Sequence, residues 1–272
     1  MTDGRALARE FLEQQRQLGG NPVILPDGST PGTPGLRPGS VESPPASGLT
    51  PGASPGKTKA RPAQSDSALP PPGISFDPPG GDLFSNDPVP QAVSLEAIAQ
   101  LVAGCTKCRL CEGRRHTVPG EGAATARLVV VGEGPGRVED ETGRPFVGPA
   151  GELLTKILGA IELPRERVFI CNVVKCRPPE NRLPQFDEIA ACVPYLFRQI
   201  DIVKPSVILA MGGTAAQTLL NTKQSLGSLR NLVHRFRGIP LIVTYHPAAL
   251  LRNPNWKKPT WDDVRIARRL IG

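Results

Sequence analysis

The stretch LVVVGEGPGRVEDETGRPFVGPAGELL, Leu128 to Leu154, decides how the rest of the chain is read. Its opening is a run of β-branched residues with no polar alternation, the pattern of a strand covered on both faces. It turns through G-E-G-P-G at 132–136 and enters a helical pattern near Ala150. Strand, glycine turn and helix in that order is how many α/β proteins cradle a phosphate. The chemistry of this turn is wrong for one. Pro135 removes a main-chain donor, no lysine stands in the turn, and Glu133, Glu139, Asp140 and Glu141 crowd it with negative charge. Glu133 and Glu139 beside bare main chain suit a neutral, flat ligand carrying donor groups, such as a nucleobase.

Three further apolar runs follow the first: RVFICNVVKC (167–176), SVILAMGG (206–213) and PLIVTYHP (240–247). Helical patterns lie between them at 150–161, 186–203 and 213–221, with another before the first strand at 94–105. A last helix is expected with Thr260 as its N-cap and Asp263 three residues on. Strands alternating with helices predict an α/β fold whose parallel sheet is covered on both faces. Ligands in such folds bind beyond the carboxyl ends of the strands. The turn after Val131, Asn172 and the TYHP segment are therefore expected to meet in one pocket.

Residues 1–94 read differently. They hold 17 of the 31 prolines, 13 of the 29 glycines and three aromatic residues. Such a composition buries too little apolar surface to offset chain entropy, so 1–94 is expected to be a largely disordered tail before a domain at 95–272. Within it, residues 4–18 carry Leu7, Phe11, Leu12 and Leu18 at helical spacing, a short helix that a partner protein could dock. Charge divides the same way. The tail has 7 Lys and Arg against 9 Asp and Glu, whereas 95–272 has 25 against 16. A basic domain suits a polyanionic partner such as nucleic acid. No apolar run reaches the roughly 20 residues of a membrane span, and the expected location is cytoplasmic.

In a reducing compartment six cysteines point to metal binding or burial rather than disulfides. Cys105 and Cys108 form a CxxC, Cys176 ends the second strand run and Cys192 lies in the helix after it. Four thiolates so spaced can hold an iron–sulfur cluster or a zinc ion. Cys111 and Cys171 read as ordinary small thiols.

Taken together, GEGPGRVEDETGRPFVGPAGELL, NVVKCRPPENRLP, TYHPAALLRNP and the four spaced cysteines resemble family 4 uracil-DNA glycosylases, the iron–sulfur branch of that superfamily. The resemblance spans about 95–272. It implies a three-layer α/β/α sandwich with a four-stranded parallel sheet, and a [4Fe–4S] cluster, rather than zinc, on Cys105, Cys108, Cys176 and Cys192. It implies an enzyme that flips uracil out of DNA and hydrolyses its N-glycosidic bond to leave an abasic site; the chain is expected to be a monomer. Gly132, Glu133 and Gly134 match the motif lining the base pocket, Phe146 the ring on which uracil stacks, and Asn172 the side chain reading the base edge. Glu139 matches a residue beside uracil C5, where it would crowd a thymine methyl. His246 matches the donor to uracil O2, and Leu250, Leu251 and Arg252 a loop entering the DNA. Glycine at 134 supplies no carboxylate to orient water, which leaves Glu133 as the nearest substitute. The alternative is a non-catalytic iron–sulfur nucleic-acid-binding module of the same fold.

Overall fold

A computed structural model describes residues 69–79 and 87–272. The expected docking helix at 4–18 and most of the expected tail lie outside them.

The strands are β1 (Pro72–Phe76), β2 (Glu121–Gly122), β3 (Leu128–Gly132), β4 (Phe169–Asn172), β5 (Val207–Met211), β6 (Val233–Phe236) and β7 (Ile239–Thr244). The helices are α1 (Leu95–Ala103), α2 (Leu110–Gly113), α3 (Arg137–Thr142), α4 (Pro149–Ala160), α5 (Phe186–Val203), α6 (Gly213–Leu220), α7 (Leu226–Leu229), α8 (Pro247–Arg252) and α9 (Lys257–Ile271). One sheet runs in the order β1-β6-β7-β5-β3-β4-β2. Its middle is the expected parallel set β7, β5, β3 and β4, in register through pairs such as Val130 with Ile170 and Leu209, and Leu209 with Ile242.

The sheet has seven strands rather than four because three short ones extend its edges. Strand β6 folds back antiparallel on β7 through Arg237 and Gly238, both at positive φ (49° and 75°). That backbone twists with the hairpin, and the glycine at its second position accepts it without a side-chain clash. Strand β2 adds antiparallel to β4 at the other edge. Strand β1 pairs parallel with β6 and corrects the boundary expected at residue 94. Val89 and Ala92 also lie in the core, at 1% and 7% exposure. Proline-rich flanks hid this segment, and an edge strand is where proline is tolerated.

Successive strand residues face opposite layers. Val129, Val131, Cys171, Ile208, Ala210 and Val243 pack with α1, α5 and α6 on one side. Leu128, Val130, Ile170, Leu209 and Ile242 pack with α4 and α9 on the other. The result is the three-layer sandwich that unalternating apolar strands require. Helix α9 starts at Lys257, three residues before the expected cap. Thr260 instead donates its hydroxyl to the Trp256 carbonyl at 2.8 Å, and Asp263 is buried as an acceptor. Among the described residues no helix is long and apolar enough to cross a membrane.

Candidate active site and cysteine cavity

The ends of β3 and β4 are paired at Gly132 and Asn172. A β-carbon on Gly132 would stand 2.4 Å from both Asn172 Oδ1 and Phe146 Cζ, so only glycine lets those side chains close over the strand. Phe146 reaches this place through a left-handed backbone (φ 52°), an unfavourable conformation for an aromatic residue. Arg165 holds it there, donating to the carbonyl of Phe146 at 2.8 Å and to that of Pro145. The Phe146 ring centroid lies 5.4 Å from that of His246, at the end of β7. The three side chains expected to share a pocket are thus gathered around the tip of β3.

Their chemistry is specific. Asn172 is 1% exposed and its Oδ1 has no hydrogen-bond partner, although a buried amide oxygen ordinarily has one. His246 caps α8, its Nδ1 accepting the main-chain N–H of Ala248 at 3.2 Å. An accepting Nδ1 puts the ring proton on Nε2. Burial, with Arg252 nearby, pushes the His246 pKa down to about 4 against the pull of Glu139. The ring is therefore neutral near pH 7, with Nε2–H as its donor group.

The acids divide. Glu139 Oε1 accepts from the N–H groups of Val147 and Gly148, each at 2.9 Å, and its Oε2 from Gly136 at 3.1 Å. This carboxylate, expected to project at the base, is aimed at main chain and fastens the loop that carries Phe146. Glu133 Oε2 accepts from the Thr214 hydroxyl at 2.6 Å at the start of α6. A β-carbon on Gly134 would stand 2.8 Å from Val174, so a larger residue there would have to displace it.

After His246 the two leucines separate. Leu250 is 1% exposed and packed inside, which corrects its expected place in the DNA. Leu251 is 50% exposed and Arg252 is exposed beside it. Tyr245, just before His246, is clamped by Trp256 at 4.7 Å (5° between planes) and by the Arg230 guanidinium at 4.4 Å. Arg230 pairs with Asp263 at 2.8 Å, and the same carboxylate oxygen accepts from Thr244 at 2.8 Å.

The cysteines meet elsewhere. Cys105, Cys108, Cys176 and Cys192 line one cavity, and Cys111, expected to be an ordinary small thiol, lines it too. Cys171 is buried in the core on β4. Arg114 donates to Cys176 Sγ at 3.3 Å and the main-chain N–H of Lys175 to Cys192 Sγ at 3.2 Å. Burial pushes the Cys108 and Cys176 thiols up, and that of Cys192 up to about 12. No three described His, Cys, Asp or Glu side chains converge tightly around a single-ion position. Glu188 ties the wall together, receiving Arg109 at 3.0 Å from between the cysteines of the first segment and Arg182 at 2.6 Å from the loop before α5.

Residues 119–266 match the Uracil DNA glycosylase superfamily. The chain belongs to that superfamily. A type-4 uracil-DNA glycosylase of Thermotoga maritima is 48% identical over 65% of this chain and 94% of the relative's length. One from Sulfurisphaera tokodaii is 46% identical over 65% and 84%. A type-5 uracil-DNA glycosylase of Pyrobaculum aerophilum is 29% identical over 49% and 66%.

In this glycosylase-superfamily domain Arg165, Lys175, Arg230 and Asp263 touch the site from behind; none was expected there, Asp263 having been expected only as an acid of the last helix's first turn. Lys175 alone carried a signal, a charged residue closing an apolar run beside Asn172. The others act across 19 to 33 residues of sequence, where periodicity is blind.

Proposed function

We propose that this chain is a uracil-DNA glycosylase that extrudes uracil from DNA and hydrolyses its N-glycosidic bond, a first step of base-excision repair. The observation that carries the reading is the unpartnered Oδ1 of Asn172, buried beside the Phe146 ring and the neutral His246. Uracil matches that set. Its N3–H donates to Oδ1 while the Asn172 amide N–H donates to O4, a pairing that cytosine's reversed edge disfavours. Its flat face stacks on Phe146, and its O2 accepts from His246 Nε2.

Cleavage breaks the bond between C1′ and N1 and leaves the electron pair on uracil, whose charge spreads onto O2. A neutral donor held in a buried site stabilises that charge without first giving up a proton. Water adds to the cationic sugar carbon and the proton it releases restores neutral uracil. Gly134 brings no carboxylate, so Glu133, with one oxygen held by Thr214, positions that water. Leu251 fills the gap left by the flipped nucleotide and Arg252 holds a phosphate.

Cys105, Cys108, Cys176 and Cys192 form an all-sulfur donor set around one cavity, which suits an iron–sulfur cluster. Such a cluster, in preference to zinc, would fasten the segment after α1 to the end of β4 and to α5.

A duplex carrying one uracil, incubated with the protein and then with alkali, tests the activity. Strand cleavage at the uracil is expected; tight binding without cleavage would make the chain a binding module instead.

A further inference from the structure

Lys175 heads the fully buried side chains by size among the described residues, at 1% exposure. A lysine sealed in the interior ordinarily faces a carboxylate, because an uncompensated charge there is costly. Both side-chain partners here are neutral oxygens. Its Nζ donates to the main-chain carbonyl of Asn172 at 2.8 Å and to Oε1 of Gln199 at 2.6 Å. Gln199 passes the contact on, donating to the Pro119 carbonyl at 2.7 Å.

The residue stands where two sites meet. Towards the base pocket it holds the carbonyl of Asn172, whose side chain carries the unpartnered oxygen. Towards the cysteines it lines their cavity, its own N–H donates to Cys192 Sγ, and Cys176 follows it in sequence. A metal core held by four thiolates bears a net negative charge, and a buried cation next to it is compensated where it would otherwise be penalised.

We propose that Lys175 is a positioning residue coupling the cysteine cavity to base recognition: its ammonium holds the main chain of Asn172, and the thiolate-bound metal group supplies its counter-charge. The proposal rests on the uracil and metal readings above and adds that neither site keeps its properties without this lysine. Removing it leaves Asn172 free to rotate from the base edge and the metal group short of a cation.

Lys175→Met tests this, keeping the length and apolar stem while removing the charge and both donated bonds. Iron retained after dialysis against a chelator is one readout. The rise in melting temperature caused by free uracil, which needs no turnover, is the other. Both are expected to fall, uracil affinity by about tenfold, the effect of losing a charged hydrogen bond. On uracil-containing DNA kcat is expected to fall by a similar factor while KM stays within about twofold. A residue that merely stabilised the fold would lower the melting temperature and leave both ligand readouts alone. A folded Lys175→Met protein with wild-type iron retention, or with a wild-type response to uracil, overturns the coupling. If that variant does not fold, Gln199→Met removes one of the two contacts and must shift both readouts in the same direction; wild-type values for either overturn the proposal. Wild-type protein that holds no metal also overturns it. Wild-type protein that leaves uracil in DNA refutes the glycosylase reading itself, whereas an active wild type beside an unaltered Lys175→Met refutes only the coupling.

Discussion

Leu250 and Leu251 are neighbours on α8, yet one is 1% and the other 50% exposed. The proposed wedge is therefore Leu251 alone. Leu251→Ala is expected to leave the melting temperature near wild type and to lower excision from duplex DNA more than from single strands, where there is no gap to fill. Leu250→Ala is expected to destabilise the fold by about 2–5 kcal/mol, the cost of a large-to-small change in a packed interior. Excision assays on both substrates, with thermal melts of both variants, separate the two leucines.

His246 is expected to act as a neutral donor. His246→Ala should lower kcat by about 10²–10³, as removal of one charge-stabilising donor does elsewhere, with little change in DNA affinity. With its pKa down to about 4, excision should show no histidine titration between pH 5 and 8. Stability should follow the opposite rule from a salt-bridged histidine. Between about pH 4 and the usual value near 6.5 the unfolded chain binds the proton more readily than the folded one. That contribution is complete above about 6.5 and is lost as pH falls towards 4. An activity profile with an inflection near 6.5 that disappears in His246→Ala would contradict the assignment.

Glu139 separates a steric role from a scaffolding one. Its oxygens meet three main-chain N–H groups around the Phe146 loop. Glu139→Ala is expected to cost about 1–3 kcal/mol, as unsatisfied buried donors do, and to lower uracil excision. Thymine is expected to remain refused. Excision of thymine by this variant would restore the carboxylate to the position beside C5 that the motif suggested.

Purified protein is expected to be brown, with broad visible absorption from thiolate-bound iron, and to lose colour in Cys192→Ser. Glu188, whose pKa the guanidiniums of Arg182 and Arg109 help to pull down to about 2, contributes stability above the usual carboxylate value and loses it as pH falls from about 4.5 towards 2. Glu188→Gln should flatten the stability curve in that window. Colourless protein with stoichiometric zinc would replace the cluster with a single ion.

The central sheet was legible because β3, β4, β5 and β7 are covered on both faces and so carry no polar alternation. Strand β1 escaped because its prolines read as tail, and β6 because its residues alternate and it is short. In the candidate site, motifs singled out Asn172 and His246 at strand ends and Phe146 in the loop before α4, and the fold brings the three side chains together. Leu250 was not, since only burial tells it from Leu251. The main-chain bonds of Glu139 were not legible, because a motif fixes a residue's neighbourhood and not which way its oxygens turn. Lys175, Arg165 and Asp263 act through contacts that only folding brings about.

Asp263 gives the last helix an unexpected importance. It grips Thr244 two residues before His246, while Trp256, just before that helix, braces Tyr245. A protein cut short before residue 257 would keep every side chain proposed to touch the base and still lose the footing of its histidine. Excision would fade without any catalytic group having been deleted.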